Sequence, residues 1–146
     1  MARVEKTISV NAPAEKVFAY LADLTRHSEW ASNPLKVEQT SEGAVRQGAT
    51  FTSVGKQFGR ENEDQLTVTE FVVNEKIAFE SQGSAGKIRH DFTLKQENGT
   101  TTLTKGLQPI QPAGMFKLIM PIVLTFISPG GLDGDLERIK EKLEQA

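Results

Sequence analysis

Between residues 35 and 110 the apolar residues recur with a period of two, which is typical of β-strands. A similar run lies near the N-terminus, so the pattern predicts seven strands. Their bounds are Val4–Val10, Leu35–Thr40, Ala49–Gly55, Glu61–Val73, Lys76–Gln82, Lys87–Gln96 and Thr100–Gln108. Asn98-Gly99, between the last two runs, is a strong signal for a tight hairpin. Because the connections are short, we expect neighbouring strands to pair antiparallel.

Two short helices are predicted between the first and second strands. Pro13 suits the first turn of the first helix, since the N–H that proline lacks has no partner there. One apolar face then follows at helical spacing, formed by Val17, Leu21 and Leu24. A second helix is predicted over Thr25–Trp30, with Thr25 as its cap.

The C-terminal part of the chain returns to a helical pattern. Met115–Ile127 is almost wholly apolar, and a single apolar face follows at Leu132, Leu136, Ile139 and Leu143. Pro121 and Pro129–Gly131 must kink or interrupt this region, so one bent helix and two consecutive helices both fit. An antiparallel sheet has one face to bury, and this long helix is the element that can cover it. The prediction is one α+β domain over residues 1–146, with a curved sheet wrapped around the C-terminal helix.

Composition narrows the function classes. The chain has 146 residues and no cysteine, which excludes disulfides and thiolate chemistry. Its net charge is -2 and no basic stripe is present, so nucleic-acid binding is not expected. No apolar stretch follows Met1–Lys6, and no run reaches the roughly 20 apolar residues of a membrane span. These features favour a cytoplasmic protein without a transmembrane segment.

A series of short motifs runs along the chain in a characteristic order. They are Ile8–Phe18, Leu21–Asp23, Trp30, Gly48–Phe51, Val68–Phe71 with Lys76–Phe79, Asn98–Thr101 and Asp135–Lys140. In this order they resemble the START-related helix-grip superfamily, in its polyketide cyclase/dehydrase and lipid-transport branch. The resemblance covers essentially the whole chain. It implies a deep cavity between sheet and helix, but it does not specify a function, because one fold hosts many activities.

Alternation along the predicted strands selects the side chains that face such a cavity. Together with candidates from the helices, the predicted ligand-binding residues are Tyr20, Trp30, Phe51, Leu66, Val68, Phe79, His90, Phe92, Met115, Leu118, Ile119 and Ile122. The alternative for each apolar position is a purely structural place in the core. No cofactor is expected, and two histidines 63 positions apart without cysteine make a poor metal site.

His90 is the one candidate for proton chemistry, because it lies on an otherwise apolar strand face. The alternative is a neutral histidine that is hydrogen-bonded in the core or to a bound polar group. Glu70 would orient His90 if both pointed inward, or else it begins a bulge and faces water. His27 lies in a polar segment and is expected at the surface, whereas Trp30 is expected to close one end of the cavity.

Nearly every helical face of Met115–Ile127 is apolar, so part of this segment must face something other than the sheet. A ligand, a second subunit or a membrane surface would each satisfy it, and the pattern favours a lid combined with a homodimer contact. Three functional hypotheses follow. The favoured one is a carrier or binder of a small apolar or amphipathic molecule. The others are a cyclase- or dehydratase-type enzyme that uses His90, and a membrane-associated lipid or quinone chaperone.

Overall fold

The computed structural model describes residues 3–30, 35–57, 60–83, 86–112 and 128–144. The helices are α1 (Ala14–Ala22), a short 3-10 helix (Leu24–Glu29) and α2 (Ser128–Glu144). The strands are β1 (Val4–Val10), β2 (Leu35–Gln39), β3 (Thr50–Gln57), β4 (Arg60–Val72), β5 (Lys76–Gly83), β6 (Gly86–Glu97) and β7 (Thr100–Pro112). All seven predicted strands are confirmed.

The seven strands form one antiparallel sheet in the order β1-β7-β6-β5-β4-β3-β2. From β2 to β7 each strand pairs with its neighbour in the sequence, as the short connections predict. The first strand then joins the far edge by pairing with the last one. With few helices and one of them C-terminal, the arrangement confirms the predicted α+β helix-grip fold.

Strand β7 is longer than predicted, because it continues through two prolines to Pro112 instead of ending at Gln108. Pairing with β1 stops where Val4 meets Leu107. Beyond that point β7 pairs with β6 alone, and Pro109 lies opposite Ile88. Proline lacks an N–H donor, so it is tolerated where a strand has a neighbour on one side only.

The hydrophobic core lies on the concave face of the sheet. Strand side chains of alternating positions meet apolar residues of α1 and α2 in one cluster, which includes Phe51, Leu66, Val68, Phe79, Phe92, Leu103, Val17, Leu21, Leu136, Ile139 and Leu143. Each of these side chains is buried. Full burial of one such side chain contributes about 1.5–3 kcal/mol, so this face holds the fold together.

Polar side chains of helix α2 bind the end of β1 and the residue that follows it. Lys140 Nζ donates to the carbonyl of Ser9 at 2.8 Å, and Glu144 accepts from the backbone N–H of Asn11 at 2.8 Å. Residues Pro129–Gly131 form the first turn of this helix, where proline costs no hydrogen bond. The preceding segment, Met115–Ile127, lies outside the described residues. No helix in the described ranges is long and apolar enough to cross a membrane.

The capping of the two short helices differs in detail from the prediction. Pro13 is the residue immediately before α1, and the first helical N–H, of Ala14, donates to the side chain of Gln96 at 2.7 Å. The prediction that Thr25 caps the second helix is wrong. Asp23 is the cap, and its carboxylate accepts from the backbone N–H of Thr25 at 3.2 Å. Asp23 is the cap in place of Thr25 because a charged carboxylate oxygen is a stronger hydrogen-bond acceptor at a helix start than a hydroxyl.

The convex face carries a chain of ion pairs. Arg3 on the segment before β1 reaches across Gly106 to Asp91, which is buried, with Nη2 and Oδ1 2.9 Å apart. Burial alone would raise the pKa of Asp91, but the hydrogen bonds and charge of Arg3 outweigh it and hold that pKa below its usual range. Glu70 follows a β-bulge and binds Arg89, so it belongs to this face and does not orient His90.

Candidate ligand-binding site

The strand register places side chains from successive strands side by side across the concave face. Three adjacent rows matter for the site. The histidine row contains Val68, Phe79, His90 and Leu107. The serine row, on one side of it, contains Phe51, Leu66, Ser81 and Ile88. The lysine row, on the other side, contains Phe71, Ile77, Phe92 and Lys105.

His90 makes one polar and one aromatic contact within these rows. Its ring stacks on Phe79, with centroids 4.7 Å apart and ring planes 7° from parallel. Its Nε2 lies 3.2 Å from the hydroxyl of Ser81, which is also 3.4 Å from the carbonyl oxygen of Ile88. The other ring nitrogen, Nδ1, is buried and has no hydrogen-bond partner among the described residues. A buried nitrogen without a partner is costly, and a bound ligand could satisfy it.

The contact between Ser81 and His90 resembles part of a nucleophile–base pair, but the rest of such a site is missing from the described residues. A nucleophilic serine needs a histidine whose second nitrogen is oriented by a third group. Here Nδ1 of His90 has no such partner, and Ser81 has a backbone carbonyl within reach as well. The arrangement therefore fits a polar contact site better than acyl transfer.

His27 lies inside the site, so the prediction that it is at the surface is wrong. Its ring stacks on Trp30 with centroids 4.1 Å apart and meets the edge of Phe79 at 6.3 Å. Its Nδ1 is buried and, among the described residues, has no hydrogen-bond partner. The polar sequence around His27 gave no sign of this, because a 3-10 helix of six residues points its side chains in directions that helical periodicity does not predict.

Trp30 is buried beside the lysine row, among the residues that are predicted to line the cavity. It meets the edge of the Phe92 ring at 5.6 Å, and the Nζ atom of Lys105 lies 4.7 Å from the centroid of its ring. Its backbone carbonyl accepts from Nε of Arg138 at 2.7 Å. Trp30 thus links the 3-10 helix, the sheet and α2 at one point.

Lys105 is a charged residue of this face that the sequence analysis did not select. The residue is buried, and its Nζ lies 3.2 Å from Oδ2 of Asp135 on α2. Arg138 contacts the other oxygen of that carboxylate at 2.8 Å. The signal was present, because Lys105 stands between Leu103 and Leu107, two positions already assigned to the concave face.

Burial sets the charge state of both histidines. Burial, followed by the charge of Lys105, lowers the pKa of His27 to about 3. Burial also lowers the pKa of His90 well below its usual value, with Lys105 and His27 adding to the effect. At neutral pH the site therefore presents two uncharged imidazoles and a buried lysine–aspartate pair, and each imidazole has one buried nitrogen without a partner among the described residues.

The hydroxyl and the ring of Tyr20 both have contacts within the protein. Its hydroxyl donates to Glu29 at 3.3 Å, and the guanidinium carbon of Arg26 lies 4.5 Å from the centroid of its ring. Burial, together with the negative charge of Glu29, raises the pKa of Tyr20 to about 12. These contacts place its hydroxyl among α1 and 3-10 helix residues, and a ligand contact of Tyr20 stays a prediction.

The other predicted site residues divide into two groups. Those on the strands face the concave side and are buried, and they are Phe51, Leu66, Val68, Phe79 and Phe92. The helix candidates, Met115, Leu118, Ile119 and Ile122, lie outside the described residues. Their part in the site, like the homodimer contact of the same segment, stays a prediction.

A family model for polyketide cyclase/dehydrase and lipid transport matches residues 1–144. The chain belongs to that family. The sequence resemblance is thereby confirmed, and it covers both the strands of the concave face and helix α2. No curated protein matches the sequence.

Solved structures of the same fold share little sequence with this family member. The Zhui aromatase/cyclase from Streptomyces sp. R1128 is 18% identical, with a TM-score of 0.73 over 97% of this chain and 95% of its own. TTHA0849 from Thermus thermophilus is 14% identical, with a TM-score of 0.79 over 99% and 98%. A START superfamily protein from Mycobacterium smegmatis is 17% identical, with a TM-score of 0.77 over 98% and 97%. At these identities the similarity establishes the fold.

Proposed function

We propose that this protein binds a small, largely apolar molecule against the concave face of its sheet, in one cavity-bearing domain. The ligand carries a polar group that hydrogen-bonds to the histidines, with His90 as the main anchor. The observation that carries this proposal is the pair of buried Nδ1 atoms, of His27 and His90, that lack partners in the described chain. Membership of a family described by cyclases and lipid transport supports a ligand-binding role.

The surroundings of His90 favour a ligand that is apolar over most of its surface. The histidine row and its neighbours consist mainly of aromatic and aliphatic side chains, so a ligand that lies against them meets mostly apolar atoms. Binding energy then comes in proportion to the apolar area of the ligand that is removed from water. A few convergent polar groups on such a face fix the orientation of a ligand. Since both histidines are neutral at pH 7, they suit a hydroxyl or carbonyl group better than a carboxylate.

Catalysis of the cyclase or dehydratase type is the second function to consider, and His90 would be its proton-transfer group. An efficient general base has a pKa near the working pH. Burial lowers the pKa of His90 well below that range, so His90 is a weak base at pH 7. The charge state therefore favours hydrogen bonding to a ligand over proton transfer.

Calorimetric titration with 2-naphthol and naphthalene tests the proposal, because the two molecules share an apolar body and differ by one hydroxyl. We expect both to bind and 2-naphthol to bind about fivefold more tightly, as one net hydrogen bond provides. The His90→Leu variant keeps an apolar side chain at this position and should bind both molecules equally well. Native mass spectrometry of the gently purified protein should reveal a retained ligand of low polarity.

The control is Thr93→Val, a substitution of an exposed residue on the same strand and the opposite face. It should leave the preference for 2-naphthol unchanged. If neither molecule binds the wild-type protein and no ligand is retained on purification, the proposed function is wrong.

A further inference from the structure

One carboxylate on the concave face, that of Asp64, lies away from the histidines and from the Lys105–Asp135 pair. Asp64 lies on β4, two residues before Leu66, and directly opposite Ser53 on β3. The buried residues Leu66 and Val68 have the same parity as Asp64, whereas Glu63 and Gln65 on either side of it are exposed. Asp64 therefore points to the side where the core and the candidate site lie.

The carboxylate of Asp64 fits here because Gly83 on the neighbouring strand has no side chain. Gly83 ends β5, two residues beyond Ser81, and a Cβ atom placed on it would lie 1.8 Å from Oδ1 of Asp64. The carboxylate thus lies over a residue without a side chain. Together with Ser53 and Ser81, Gly83 gives this end of the concave face small side chains where the histidine row has large ones.

Asp64 differs from the other shielded carboxylates in having no cation beside it among the side chains that the structure describes. Asp91 is paired with Arg3, and Asp135 is paired with Lys105. Among the side chains that the structure describes, Asp64 has neither an ion-pair partner nor a hydrogen-bond partner, although it is only partly exposed and burial raises its pKa. Because Asp64 keeps part of its surface exposed and has no described cation to neutralise it, its carboxylate can bind a cation that comes from outside the described part of the chain.

We propose that Asp64 is a second anchor of the site and binds a cationic nitrogen, such as a protonated amine, on the ligand. This inference rests on the proposed function, since it assigns the ligand a charge. The apolar body would lie along the rows that contain Phe51 and Phe79, with its amine at the end near Ser53 and Gly83. A hydrogen bond between an ammonium and a partly shielded carboxylate is about twice as strong as a neutral one.

Three ten-carbon probes with different head groups test the charge: decylammonium, 1-decanol and decanoate. Calorimetric titration at pH 7 should rank the wild-type affinities in that order, with decylammonium binding about tenfold more tightly than decanol. In Asp64→Asn we expect the preference for the amine to disappear while decanol binds as before. In Gly83→Ala the new methyl group displaces the carboxylate, so the preference should shrink although the charge remains.

Glu63→Gln is the matched control, because it removes the same charge one residue away on the exposed face. It should leave the ranking intact, which separates a local contact from a general effect of net charge. If the wild-type protein binds all three probes equally, or if Asp64→Asn keeps the full preference for decylammonium, the anchor is wrong and the binding function stands. If none of the probes and neither naphthalene compound binds, both proposals fail. The ranking in the wild-type protein requires no variant, so a poorly folded variant cannot hide the answer.

Discussion

Lys105 and Asp135 form a buried ion pair, with 3.2 Å between Nζ and Oδ2, that connects the middle of β7 to helix α2. The side chain of Lys105 is 5% exposed and that of Asp135 is 12% exposed. Burial lowers the pKa of Lys105, and the charge and hydrogen bond of Asp135 oppose that shift. The pair lies directly beneath Trp30, so the position of α2 and the floor of the candidate site depend on the same contact.

Removing the lysine should therefore destabilise the protein substantially. In Lys105→Met, Asp135 keeps Arg138 as a partner but loses its buried one, and we expect a loss of about 3 kcal/mol in the free energy of unfolding. Urea denaturation followed by fluorescence measures this directly, because Trp30 is the only tryptophan and lies against Lys105. The double variant Lys105→Met/Asp135→Leu should recover part of the loss.

Lys95→Met is the control for that experiment. The side chain of Lys95 is 79% exposed, and its ion pair with Glu97 is long, with 4.0 Å between Nζ and Oε1. The effect of this substitution should stay within about 0.5 kcal/mol. A Lys105→Met protein as stable as this control would mean that the buried pair contributes nothing to the docking of α2.

The two partly buried histidines, His27 and His90, should make the protein sensitive to mild acid. In the unfolded chain the pKa of a histidine is about 6.5. In the folded protein the pKa of His27 is lowered to about 3, and that of His90 is also lowered well below 6.5. Below pH 6.5 the unfolded state thus binds more protons, so this contribution to stability is complete above 6.5 and is lost as the pH falls. Between pH 7 and 5.5 each histidine should cost about 1 kcal/mol of unfolding free energy.

Urea denaturation at several pH values between 7 and 5.5 tests this dependence, in a range where carboxylates contribute little. The His27→Gln variant removes one of the two titrating groups, so it should lose about half as much stability over the same range. Equal pH dependence of the variant and the wild-type protein would show that His27 has the same pKa in the folded protein as in the unfolded chain.

On the convex face, Gly106 is predicted to be intolerant of alanine. A Cβ atom there would lie 2.1 Å from Nη2 of Arg3, so the guanidinium must move away from Asp91. Replacing a glycine within a strand by alanine ordinarily stabilises it slightly. For Gly106→Ala we expect instead a loss of about 2 kcal/mol in the free energy of unfolding. This is the contribution expected of the hydrogen bonds between Arg3 and the buried carboxylate of Asp91.

A double-variant cycle with Arg3→Ala identifies the cause of that loss. Once Arg3 is absent, the added methyl group displaces nothing, so Gly106→Ala should have almost no further effect. Additive losses in the double variant would instead place the cost in the backbone of β7.

The strands were predictable because alternation is a local property. One residue points in and the next points out, so the pairing of Phe79 with His90 and their common face follow once both strands are identified. The same rule would have found Lys105 and Asp64, which have the parity of Leu103 and Leu66. They were overlooked because their charge suggested the surface, where most lysines and aspartates lie.

The position of His27 and the choice of helix cap were not predictable in this way. His27 enters the site because the 3-10 helix folds back over Phe79, and Trp30 follows it into the core. The contact between His27 and Phe79 joins two distant parts of the chain, so residues nearby in the sequence do not imply it. The choice of Asp23 over Thr25 as cap depends on where the first helical turn begins, and patterns locate such boundaries only to within a few residues.

The sequence by itself determined the seven strands, their antiparallel pairing, the family and the apolar character of the concave face, because each of these follows from spacing along the chain. Only the tertiary structure decided which charges lie within that face and what they contact. Lys105 acquired Asp135 from a helix 30 positions away, while Asp64 was left without a partner among the described residues. The physical reason is that burial removes water from a polar atom, and only the three-dimensional arrangement determines whether another group replaces it.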